Sequence, residues 1–177
     1  LHCICFKCSK LLINKEKYKQ ALKMDGQTRW KYVHDLAKNI KRCGDDNEEG
    51  CQCLQPKKIK KEGVASLYAE WNGKDDNDEP TNISIPLTPE LVLKIFKRIS
   101  DEDVTFMGFS PIWSRPDWMI CQVMVVPPPA VRPSVKHDAQ QRSEDDLSHI
   151  LVNIIKYNKI LQDKININAP ENVLNEW

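Results

Sequence analysis

Cys5-Phe6-Lys7-Cys8 has the C-x2-C spacing with which one tight turn brings two thiolates to a single metal ion, about 2.3 Å from each sulfur. A tetrahedral site needs a second pair. Cys43-Gly44 and Gly50-Cys51 each set a glycine beside a cysteine, which lets the backbone curl toward an ion. Cys51-Gln52-Cys53 is the rival pair, although residues two apart on an extended chain point in opposite directions, and Cys3 is a further candidate. Four thiolates leave no open position for water or substrate, so the expected metal is a structural zinc. No βαβ pattern surrounds the pair, which argues against redox chemistry.

The cysteine count agrees. Of 7 cysteines, all but Cys121 lie within residues 1–53; the odd total argues against a closed set of disulfides, and Cys121 reads as an ordinary core residue. The 177 residues carry 26 basic and 25 acidic side chains, a net charge of +1 with 41% hydrophobic residues. That balance excludes a uniformly basic nucleic-acid binder and a disordered acidic tail. No apolar run has the length of a membrane span, and no signal peptide is visible. The start on Leu1 and the stop on Trp177 within an unfinished helical pattern lead to the expectation of a piece of a longer chain.

Outward from the cysteines, residues 14–24 read as a Lys-rich helix ended by Asp25-Gly26. Thr28 reads as the cap of a second helix with Trp30, Val33, Ala37 and Ile40 at helical spacing. Zinc would tie the ends of this helical hairpin, and residues 45–50 form a polar loop. Residues 57–61 are a basic cluster, and residues 64–71 alternate as a strand, with Ala65, Leu67, Ala69 and Trp71 on one face. The acidic run 75–79 lacks a calcium-loop pattern, since Pro80 and Pro86 stand where Gly and the bidentate Glu belong. Ile83, Ile85 and Leu87 form a returning strand, and Thr88-Pro89-Glu90 starts a helix with Leu91, Val92, Ile95, Phe96 and Ile99 as its buried stripe. Residues 104–117 read as loop, and residues 118–126, apolar on both faces, as a fully buried strand.

Prolines at 127, 128, 129 and 133 then stiffen the chain. Ser143 reads as the cap of a helix with acidic Glu144, Asp145 and Asp146 in its first turn. Leu147, Ile150, Leu151, Ile154, Asn158 and Leu161 share one face, as in one arm of a coiled-coil-like hairpin with its tip near residues 163–169. His2, His34, His137 and His149 are far apart in sequence and none neighbours a Ser or Cys in a nucleophile motif; no Gly-rich phosphate loop is present among 6 glycines. The residues alone describe a zinc-stapled binding or structural module without catalytic machinery of its own.

Several segments carry a resemblance. Ser114-Arg115-Pro116-Asp117-Trp118-Met119-Ile120, then Val126-Pro127-Pro128-Pro129-Ala130-Val131-Arg132-Pro133-Ser134, then Gln141-Arg142-Ser143-Glu144-Asp145-Asp146-Leu147, resemble the clamp of the largest subunit of multisubunit DNA-directed RNA polymerase, of the RNA polymerase II type. Cys5-Phe6-Lys7-Cys8-Ser9-Lys10-Leu11-Leu12 is similar to that family's second zinc knuckle, and Gly50-Cys51-Gln52-Cys53-Leu54-Gln55-Pro56 to its closing segment. Ile95-Phe96-Lys97-Arg98-Ile99-Ser100 and Met107-Gly108-Phe109 match in order.

The resemblance implies an α+β fold. A zinc-binding clamp head would span residues 1–103, with short antiparallel strands; a clamp-core strand and Pro-rich segment, 104–130; a lid loop, 131–146; and the start of the clamp coiled coil, 147–177. It implies zinc on Cys5, Cys8, Cys43 and Cys51, with Cys3 and Cys53 at non-ligand positions. The implied role is to hold DNA in the cleft and help separate transcript from template, with Arg132, Lys136 and Arg142 meeting phosphates without reading sequence. Nucleotidyl transfer with Mg2+ is implied only for the whole enzyme, outside these residues. Implied partners are template DNA, nascent RNA, the second-largest subunit, and initiation and NusG-like elongation factors; no membrane is implied. The abundance of Ile, Asn and Lys leans toward a large DNA virus, with location in host cytoplasm, viral factory or virion, against the nucleus for a cellular enzyme. The competing reading is a free-standing structural-zinc protein-interaction module.

The net charge conceals an uneven distribution. Residues 1–61 hold 15 basic and 7 acidic side chains, residues 62–103 hold 4 and 10, and residues 104–177 hold 7 and 8. The cysteine-rich part is the basic one, and such a surface suits nucleic acid across a cleft.

Overall fold

Asp25 begins the first long helix. In the computed structural model, which describes residues 1–63, 66–74, 80–136, 142–174 and 176, its carboxylate accepts the Thr28 N–H at 3.1 Å and helix α1 runs Gly26–Ala37. The Asp-Gly pair read as a helix stop is therefore a helix start, and Thr28 lies inside the first turn. Val33 and Ala37 are buried from α1, and Trp30, Leu36 and Ile40 pack against the same core. The helix expected over residues 14–24 is instead a series of turns closed by a one-turn 3-10 helix, Lys19–Lys23. Asn14 Oδ1 captures the N–H groups of Glu16 and Lys17 at 2.9 and 3.2 Å, a local bond that competes with helical pairing.

Strands β1 (Lys58–Glu62), β2 (Ser66–Lys74) and β3 (Pro80–Pro86) form an antiparallel sheet in that order. The register pairs Ile59 with Ala69 and Ala69 with Ile85, which puts apolar side chains on one face. Lys58, Glu70 and Ser84 align on the other. The basic cluster is thus a strand whose inward residue is Ile59. Val64, Ala65 and the acidic run 75–79 lie outside the described residues.

Helix α2 (Pro89–Lys97) starts as expected, with Thr88 Oγ1 accepting the Leu91 N–H at 3.2 Å. Helix α3 (Asp101–Phe106) was missed; its second half falls in the stretch 104–117 read as loop. Ser100 caps it, and one and a half turns are too few for apolar periodicity to register. Asp103, 5% exposed, accepts the Leu11 N–H at 3.2 Å and pairs with Lys15 Nζ at 2.9 Å, joining α3 to the cysteine-rich start of the chain. The core gathers Ile4, Leu11, Leu12, Ile13, Val33 and Ile95, with Val104 and Phe106 from α3.

The buried strand expected over residues 118–126 is not there. A 3-10 turn, Pro116–Met119, is followed by chain without regular structure; Val123 and Val125 are 89% and 87% exposed, and Cys121 is exposed rather than in a core. A strand apolar on both faces becomes buried only between two layers and beside paired neighbours, and among the described residues no strand pairs with it.

The chain divides into two compact units, Leu1–Cys121 and Gln122–Trp177. In the second, β4 (Val135–Lys136) and β5 (Arg142–Ser143) form a short antiparallel ladder. Helix α4 (Asp146–Asn166) is capped by Asp145, whose carboxylate accepts the Leu147 N–H at 2.8 Å; Ser143, expected as the cap, sits in β5 instead. Asn168, with φ of 52°, turns the chain into the single-turn α5 (Glu171–Leu174) just past Pro170. Helices and small antiparallel sheets thus make a mixed α+β chain.

Candidate metal centre

Two short hairpins carry the cysteines. In the first, Ile4 bridges Leu11, the Cys5 N–H reaches Lys10 O at 2.8 Å, and the Ser9 N–H reaches Cys5 O at 2.9 Å. In the second, Arg42 bridges Leu54, the Cys43 N–H reaches Cys53 O at 3.0 Å, and the Gln52 N–H reaches Cys43 O at 2.9 Å. Both glycines of this hairpin are required. Gly44 has φ of +115°, and a Cβ on Gly50 would lie 2.4 Å from the Cys43 carbonyl oxygen and 2.3 Å from Gly44 N.

These turns bring the sulfurs of Cys5, Cys8, Cys43 and Cys51 within 4.8 Å of one another. The close approaches run between hairpins: Cys5 Sγ to Cys51 Sγ at 3.5 Å and Cys8 Sγ to Cys43 Sγ at 3.7 Å. All are free thiols. A tetrahedron of thiolates about 2.3 Å from zinc has sulfur–sulfur edges of about 3.8 Å, so the four donors fit such an ion. Zinc bound there would supply a fixed cross-link between the two hairpins and no reactive position.

The surroundings favour thiolate at Cys5. Burial pushes the Cys5 thiol up, but the N–H groups of Cys8 and Lys7 outweigh it and bring it down to about 7. Cys8 and Cys43 are raised by burial. Gln55, buried, donates Nε2 to Cys5 Sγ at 3.3 Å and to Cys53 O at 2.9 Å, while its Oε1 accepts the Phe6 N–H at 2.9 Å. It therefore locks both hairpins around one sulfur. Nothing in a lone Gln-Pro dipeptide announces that role.

The remaining cysteines are not among the four converging donors. Cys53 directs its thiol to Leu54 O at 3.7 Å. Cys3 is buried in the apolar core, which raises its thiol to about 11. Outside the sulfurs, Asp46 accepts the Asn14 N–H at 2.9 Å and Lys17 Nζ at 2.6 Å, and Lys10 Nζ reaches Glu49 O at 3.2 Å. The loop between Cys43 and Cys51 is thereby fastened to the segment after the first hairpin. The histidines far apart in sequence are not all apart in space: the rings of His2 and His34 meet edge to face at 6.0 Å. Neither belongs to the sulfur cluster.

Compared with protein families, the sequence matches RNA polymerase Rpb1, domain 1, over residues 1–177, its entire length. The chain belongs to that family. It is domain 1 of the largest RNA polymerase subunit, and so part of a multisubunit DNA-directed enzyme that works with other subunits on DNA and RNA.

The Rpb1 domain places the three basic residues expected at nucleic acid differently. Arg132 is half-buried; its Nε donates to Pro127 O at 2.9 Å and its Nη1 to Ser148 Oγ at 3.3 Å, fastening the Pro-rich segment to α4. Lys136 and Arg142 face each other across the β4–β5 ladder. Arg142 also bonds Ser134 Oγ at 2.5 Å and pairs with Glu144 at 2.9 Å, whereas Lys136 is exposed. His137, Gln140 and Gln141 lie outside the described residues. Among the described residues of this Rpb1 domain, no helix is long and apolar enough to cross a membrane.

Proposed function

We propose that this Rpb1 domain is the clamp and lid segment of its polymerase. Structural zinc on Cys5, Cys8, Cys43 and Cys51 holds a clamp head, and the β4–β5 hairpin acts as the lid that helps part transcript from template. The observation that carries the metal reading is the convergence of four thiols from two hairpins to within 4.8 Å. With all four positions filled by sulfur, the ion acts on folding rather than on substrate. The lid reading is supported by the paired cations Lys136 and Arg142 on a short ladder that follows a proline-stiffened approach. The long helix α4, with Leu147, Ile150 and Ile154 exposed, supports a coiled-coil arm available to initiation and NusG-like elongation factors. Nucleotidyl transfer with Mg2+ is assigned to other parts of the enzyme.

Cobalt substitution tests the centre. The expected spectrum is that of four thiolates around tetrahedral Co2+, retained in Cys53→Ser and reduced by one thiolate in Cys51→Ser. A spectrum with an oxygen ligand in the unmodified protein sinks the structural-zinc reading. For the lid, the complete polymerase carrying Lys136→Gln with Arg142→Gln should leave an over-extended RNA–DNA hybrid open to RNase H. A hybrid of unchanged length sinks the lid role.

A further inference from the structure

The two cysteine hairpins share one bonding pattern. The Cys5 N–H bonds Lys10 O as the Cys43 N–H bonds Cys53 O, and the Ser9 N–H bonds Cys5 O as the Gln52 N–H bonds Cys43 O. Both Ser9 and Gln52 take positive φ, 63° and 59°. Cys8 and Cys51 thus stand just before the left-handed residue, and Lys10 and Cys53 just after it. Where the first hairpin has a lysine, the second therefore carries a fifth thiol beside a donor of the cluster. Extended chain would hold the Cα atoms of Cys51 and Cys53 about 7 Å apart. The left-handed turn at Gln52 shortens that span into the roughly 4.4–6.8 Å that a disulfide bridges. Cys53 Sγ touches Leu54 O at 3.7 Å, a weak contact that one χ1 rotation releases. Access separates the thiols further: Cys5 and Cys43 are buried and Cys8 is half-buried, whereas Cys51 is exposed.

We propose that Cys51 and Cys53 form a peroxide-sensitive modification site, in which oxidation joins them as a disulfide and removes Cys51 from the metal. The proposal rests on the zinc reading above, in which Cys51 is a ligand and Cys53 is not. The Cys51 thiolate attacks one oxygen of hydrogen peroxide and the O–O bond breaks, giving a sulfenic acid and hydroxide. The Cys53 sulfur then attacks the sulfenic sulfur. The S–S bond forms, the S–OH bond breaks, and the hydroxide leaves with the Cys53 proton as water. The two sulfurs lose two electrons and the peroxide gains them. Three thiolates stay at the centre, and a small dithiol reverses the bridge by exchange. The rival pairs cross between hairpins, Cys5 with Cys51 at 3.5 Å and Cys8 with Cys43 at 3.7 Å. Each would need a second ligand to leave the metal, whereas Cys53 reacts without giving one up.

The test exposes the complete polymerase to hydrogen peroxide, following zinc passed to a colorimetric chelator alongside peptide mass mapping. The expected result is a Cys51–Cys53 bridge formed in step with the loss of a single zinc ion. Dithiothreitol with added zinc should restore both the thiols and the ion. Cys53→Ser should form no bridge and carry a dimedone-trappable sulfenic acid at Cys51. Its loss of zinc should not be reversed by dithiothreitol, because an unresolved sulfenic acid oxidises on to sulfinic acid. A bridge from Cys51 to Cys5, no bridge at all, or a Cys51–Cys53 bridge with zinc retained overturns the inference. The cobalt spectrum keeps the two readings apart. Four thiolates without a Cys51–Cys53 bridge reject the modification site alone. A bridge in a protein whose cobalt spectrum shows an oxygen ligand rejects the zinc reading and leaves the bridge.

Discussion

Single carboxylates do much of the joining around the cysteines. Asp103 holds the Leu11 N–H and Lys15 in a setting only 5% exposed. Replacing it with Leu strands a buried donor, and Asp103→Leu should cost about 2–3 kcal/mol in urea unfolding with metal in excess. Asp46 acts in a more open place, 16% exposed at its side chain. Burial there opposes its charge, but Lys17 and the Asn14 N–H outweigh it and hold its carboxyl below the ordinary range. A carboxyl depressed in the folded state contributes stability above its unfolded pKa and loses it as pH falls through the folded value. Asp46→Asn should therefore be less stable than the parent by about 1–2 kcal/mol at neutral pH, with the gap closing below about pH 4. A gap independent of pH would mean that the charge is not what Asp46 contributes. Neither residue was legible in the sequence, because Asp103 reaches Leu11 and Asp46 reaches Asn14 only after folding, and a lone Asp reads as surface.

Elements with their own capping signal were the legible ones. Thr88-Pro89 marked α2 because both the cap bond and the fixed proline φ lie within four residues of chain. Asp25-Gly26 carried two contrary signals, and the cap prevailed over the stop because Asp25 has the Thr28 N–H to accept. The apolar run 118–126 misled for a different reason. Its pattern requires burial but does not state what provides it, and β1, β2 and β3 close their sheet without it. Val123→Lys with Val125→Lys should consequently shift the stability of this chain by no more than about 0.5 kcal/mol, measured by thermal unfolding. A large loss would show that these valines are covered within the chain after all.

At the scale of the molecule, the sulfur cluster belongs to the unit Leu1–Cys121, and its loss should be felt there. Trp71 is a natural reporter, since its Nε1 donates to Leu54 O at 3.1 Å and its ring meets Phe6 edge to face at 5.1 Å, touching both hairpins. Chelation should red-shift its fluorescence and broaden unfolding of that unit, and Trp71→Phe should remove part of the shift, the remainder coming from Trp30, which packs against the same core, since Trp113 and Trp118 are already exposed. Family membership, the C-x2-C turn, the glycines beside Cys43 and Cys51, and the uneven charge were all present in the order of residues, because each is a matter of local chemistry or of pattern along the chain. That Gln55 locks both cysteine hairpins around one sulfur, that Arg132 turns inward, and that a strand-like run stays open were decided only by tertiary structure. Those depend on groups far apart in sequence being brought within a few ångströms, and on whether a neighbour is there to exclude water.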